Sequence, residues 1–88
     1  MPLYYFHVYN DAVTMDEEGA ELADVQAAQA YAVKAARSLA AETALHGYLD
    51  VTHYIHIEDE ARQTIGKVAF GEAVEIREAQ PFLKNTTA

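Results

Sequence analysis

At 88 residues, with 51% hydrophobic and 23% charged side chains, the chain has the composition of one globular domain rather than of a disordered segment. Its 14 Asp and Glu against 6 Lys and Arg give a formal charge of −8, which repels phosphate backbones and anionic lipid surfaces and argues against direct nucleic-acid binding or a membrane partner. The absence of cysteine removes disulfides, thiol nucleophiles and thiolate metal sites from consideration, and Met1-Pro2-Leu3-Tyr4 lacks the basic and apolar runs of an export signal, so a cytoplasmic location is expected.

Leu3 to Tyr9 is a run of aromatic, branched and other apolar side chains interrupted only by His7, a composition that suits a strand. Alternation sends Tyr4, Phe6 and Val8 to one face and Leu3, Tyr5, His7 and Tyr9 to the other. Asn10-Asp11 signals a turn, after which residues 12–15 fit a short returning strand. Asp16 to Asp24 reads as a connection, with Gly19 inside an acidic cluster and Leu22 its only large apolar residue. Its acids are consecutive rather than alternating, so the spacing of a calcium loop is missing, and a solvated loop is the expectation.

Residues 24–46 form the central element, one amphipathic helix with Asp24 as N-cap and Gly47 past its last turn. At 100° per residue Val25, Ala28, Ala32, Ala36, Leu39 and Thr43 share a stripe, with Tyr31 and Leu45 roughly opposite it. A stripe of alanines is strongly helix-forming and lets the helix lie close to whatever it covers. Gln26, Gln29, Lys34, Arg37 and Glu42 interrupt any apolar run long enough to cross a bilayer.

Beyond Gly47, Val51 to Ile57 alternates His53, Ile55 and Ile57 with Thr52, Tyr54 and His56, as a strand does. Residues 58–62 are polar and of hairpin-loop length, and residues 63–70 extend again through Ile65, Val68 and Phe70. Gly71 to Glu78 fits either a helical turn or a strand. Pro81 disfavours helix at Gln80, and residues 81–88 are expected to be a mobile tail on a single domain of residues 1–80.

Three motifs carry a resemblance. Tyr5-Phe6-His7-Val8, Asp16-Glu17-Glu18-Gly19-Ala20-Glu21-Leu22 before the Ala-rich helix, and Val68-Ala69-Phe70-Gly71-Glu72-Ala73-Val74 together resemble a family of short bacterial proteins classified as a domain of unknown function. The resemblance implies a compact β-α-β-β unit and brings no catalytic residue with it. It also puts a turn glycine where this chain has Ala61. Residues 1–46 are in addition similar to antitoxins with a partial RNase H fold, which implies binding to a partner protein.

One helix covers one face of a sheet, so Tyr5, His7 and Tyr9, with Tyr54 and His56, are expected on the face it leaves open. Such side chains combine apolar area with a polar tip, which suits a protein contact. They are the candidate interface or ligand residues. Two histidines on one face lack a third ligand dictated by spacing, so no metal and no cofactor is expected. Ser38, the only serine, lies inside the helix, and Gly19, Gly47, Gly66 and Gly71 form no phosphate cradle, so no catalytic residue is assigned.

The expectation is an α+β fold: a mostly antiparallel sheet of three to four strands with one long helix on one face. Tyr4, Phe6, Val8, Val25, Ala28, Ala32, Leu39, Ile55, Ile57, Val68 and Phe70 should make its core. The expected function is that of a non-enzymatic interaction or regulatory module, homodimeric or bound to another protein. Small-ligand binding on the Tyr and His face is the alternative.

Overall fold

The computed structural model describes residues 1–77, so the C-terminal tail expected at 81–88 lies outside the described residues. The elements are β1 (Leu3–Tyr9), β2 (Val13–Thr14), β3 (Ala20–Glu21), α1 (Val25–Leu45), β4 (Tyr54–Glu58), β5 (Thr64–Ala69) and the one-turn α2 (Phe70–Ala73). The α+β class is as expected, with an antiparallel sheet in the order β2-β1-β4-β5 and β3 also paired to β1. β1 and β4 run antiparallel, so the helix between them makes no parallel crossover. No helix among the described residues is long and apolar enough to cross a membrane.

Residues 20–21, expected to be loop, are a strand. β2 and β3 flank the same edge of β1 at its two ends, with Val8 opposite Thr14 and Leu3 opposite Glu21. They are one edge strand interrupted by residues 15–19, which have only Tyr5, Phe6 and His7 opposite them and must leave the sheet plane. Gly19 makes the return possible: its φ of 72° is left-handed, and a Cβ there would sit 2.7 Å from the Tyr4 carbonyl oxygen.

α1 keeps its expected ends. Asp24 accepts the Ala27 amide at 2.8 Å, and Gly47 turns out of the helix at φ 97°. Its buried row is Ala28, Ala32, Ala36 and Ala40, a strict four-residue repeat that winds about 40° around the helix at each step. The straight stripe expected from sequence therefore holds in its middle and fails at its ends. Val25 is 43% exposed and Ala40 takes a core place, because a helix laid obliquely on a twisted sheet changes its contact line along its length.

Between these alanines and the sheet lie Tyr4, Phe6, Ile55, Ile57 and Phe70, with Val8, Leu39 and Val68 at the margin. Tyr31, expected on the outer side, leans over the helix shoulder onto Phe6, with ring centroids 4.5 Å apart. β4 starts at Tyr54 rather than Val51, because the Asp50 carboxylate accepts both the amide and the hydroxyl of Thr52 and holds residues 50–53 in a turn. In the β4–β5 loop the left-handed residue is Arg62 (φ 65°), so the strained position is one beyond Ala61.

Candidate functional site

The outer face of the sheet is built in three rows by cross-strand pairing. Tyr5 stands opposite Glu58, His7 opposite His56 and Tyr9 opposite Tyr54, and β5 adds Lys67 beside His56 and Ala69 beside Tyr54. Val13 of β2 completes the last row next to Tyr9. All five residues expected on this face are therefore brought onto it. Tyr5, Tyr9, Tyr54 and His56 are half-buried; His7 is not an open surface residue at all, being 1% exposed.

The excursion at 15–19 is what covers His7. The Asp16 amide donates to His7 Nδ1 at 3.0 Å, so the ring hydrogen sits on Nε2 and is donated to Glu58 Oε1 at 2.8 Å. The Asp16 carboxylate turns back to the chain, accepting the Phe6 amide through Oδ2 and the Glu18 and Gly19 amides through Oδ1 at 2.9–3.2 Å. This residue belongs to a cluster expected to be solvated, and it is instead the clamp between loop and sheet. Burial pushes its carboxyl up, but the amides of Gly19, Phe6 and Glu18 and the nearby His7 more than offset this, and it ionises below its ordinary value. Glu58 is likewise lowered, chiefly by the hydrogen bond from His7, which outweighs the opposing effect of burial, and further by the His56 and Arg62 charges beside it.

The aromatic rings are held with their faces occupied. Tyr9 and Tyr54 stack 4.8 Å apart at 8°. Lys67 Nζ lies 4.8 Å from the Tyr54 ring centre, and the Arg62 guanidinium carbon 3.6 Å from that of Tyr5. What the surface offers is ring edges, hydroxyls and two cations rather than open ring faces.

His7, His56 and Glu58 bring potential metal-ligating atoms within 4.8 Å of one another, so Glu58 is the third group that sequence spacing did not supply. Alternation points to it in retrospect, since it lies two residues after His56 in β4. The hydrogen-bond polarity opposes a metal. A ligating histidine donates its second nitrogen outward, whereas His7 Nδ1 accepts an amide and leaves the Nε2 hydrogen facing Glu58. Arg62 Nη1, 3.7 Å from Glu58 Oε1, adds a positive charge beside the same oxygen.

A second cluster forms at the end of the sheet. The buried His53 points Nε2 at Asp11 Oδ1 (3.5 Å) and Asp50 Oδ2 (3.3 Å), and Tyr48 donates its hydroxyl to Asp11 Oδ2 at 2.9 Å. These contacts clasp the β1–β2 turn to the segment following α1, while His53 Nδ1 is buried with no hydrogen-bond partner among the described residues.

Comparison with curated proteins and with solved structures finds no match. Residues 3–71 match a protein family, and by that span, which runs from the first residue of β1 into α2, the chain belongs to the family described as Domain of unknown function (DUF6894).

Proposed function

We propose that this protein is a non-enzymatic interaction or regulatory module of the bacterial cytoplasm that self-associates as a homodimer through the outer face of its sheet. The observation that carries this reading is the ordered aromatic row on a face the helix does not cover. Tyr9 and Tyr54 are fixed by their own stacking, so a contact there orders little that is not already ordered.

The sheet edges favour the face over edge pairing as the means of contact. The Phe6 amide points at Asp16, away from β4, so by alternation Ile55 and Ile57 turn their backbone groups to Val68 and Gly66 of β5. That leaves Lys67 and Ala69 facing outward. Glu72 takes the Ala69 amide at 2.9 Å, a register shift disturbs the ladder at Ile57 and Glu58, and Lys67 places a charge on what remains. The opposite edge is broken by residues 15–19.

A small ligand is less well served by this surface. Among the described residues, hollows form beside Pro2 and Tyr4, along Tyr31 to Ser38, beside Met15 to Glu18 and against the last turns of α1. Light scattering across a concentration range, on untagged protein with and without a chelator, tests the proposal. The expected result is a chelator-insensitive dimer that Tyr9→Ala and Tyr54→Ala weaken. A monomer at every concentration up to high micromolar would overturn it.

A further inference from the structure

We infer that the second copy docks about a two-fold axis parallel to the strands, so that β1 of one copy lies over β4 of the other and β2 over β5. This arrangement rests on the self-association proposed above and specifies its geometry. Such an axis reverses the order β2-β1-β4-β5 across the sheet and preserves height along the strands, so each row of side chains meets its own reverse.

The row Val13, Tyr9, Tyr54, Ala69 is complementary to itself under that operation. The 58% exposed Val13 falls on the small Ala69 of the partner subunit, and the two stacked tyrosine pairs meet at the centre. Charge selects the same axis. Residues 15–19 leave the edge of the sheet at the height of Tyr5 to His7, with the Asp16 amide on His7 of the outer face, and carry the exposed Glu17 and Glu18 along that edge. On the opposite side of that face, in the row of His7 and His56, stands Lys67 of β5, while the Arg62 guanidinium reaches back over Tyr5 of β1 on the loop's own side. An axis parallel to the strands brings each acidic loop toward Lys67 of the partner subunit, twice per dimer. An axis perpendicular to the strands would set the loop edges against each other and the two Lys67 edges against each other. A molecule carrying a formal charge of −8 repels its copy on average, so placing Lys67 opposite the acids of the loop is what favours this one orientation.

The chain has no cysteine, which allows a direct test. Within one molecule Val13 and Ala69 are three strand spacings apart, about 14 Å, beyond the ~7 Å reach of a disulfide. Under mild oxidation the double variant V13C/A69C should form a covalent dimer, while V13C alone and A69C alone should not. In parallel, K67E and E17K/E18K should each weaken the dimer about ten-fold or more, and an equimolar mixture of the two should recover it. A wild-type dimer that is indifferent to both charge reversals and yields no cross-link would overturn this arrangement while leaving self-association standing. A cross-link from V13C alone would also overturn it. A strictly monomeric wild type would remove both.

Discussion

Asp16 holds three backbone amides with one carboxylate and lends its own amide to His7, so a single residue fixes a loop, a strand and a buried imidazole. Replacing it by Asn turns one acceptor into a donor, and in the orientation that keeps Oδ1 it sets an N–H against the Phe6 amide. D16N should therefore cost about 1–3 kcal/mol at neutral pH by chemical denaturation. The carboxyl ionises below its ordinary 3.8, so its contribution is fully present above that value and is lost as pH falls through the lowered one. Wild type and D16N should converge in stability in that acid range. An offset that persisted unchanged there would show that the clamp does not depend on the charge. None of this was legible in the sequence, where Asp16 is one of several adjacent acids. Alternation placed His7 on the outer face correctly, but which residue covers it is set by a contact between separate elements that no periodicity encodes.

At the scale of elements, α1 was the most legible feature, because N-cap, alanine stripe and terminal glycine all marked the same segment. The alanines also bring the helix backbone close to Ile55, Ile57 and Phe70, with no room for anything larger. Ala36, fully buried in the middle of the row, tests this: A36L adds side-chain volume where the helix meets the core and should destabilise by about 1–3 kcal/mol, although leucine is a good helix former. Thermal unfolding of A36L beside the solvent-exposed A41L separates packing from propensity, and equal melting temperatures would argue against the close approach. β3 has no mark in the sequence, because Ala20-Glu21 lacks strand composition; it is a strand only because Gly19 returns the chain to the edge of β1. The late start of β4 came from Asp50, whose side chain competes successfully for the local backbone.

For the whole molecule, composition and alternation gave the class of fold but not its strand order. Residue patterns record which face a side chain takes, and they do not record which strand stands beside which. The antiparallel β1–β4 pair at the centre of the sheet joins segments on either side of α1. A domain this small buries a modest share of its surface, so a partner on the open face adds stability by mass action. The midpoint of thermal unfolding should consequently rise with protein concentration in the wild type and much less in K67E. A concentration-independent midpoint would mean that association contributes nothing to folding.

The gap between β2 and β3 has one more consequence. In the middle of β1 the Phe6 amide is bonded to an ionisable oxygen instead of a neighbouring strand. Its proton resonance is therefore a built-in reporter of the Asp16 charge. On acidification the Phe6 signal should shift with the titration of that carboxyl before the sheet melts, while the amides of Ile55 and Ile57, which face β5, hold their positions until global unfolding.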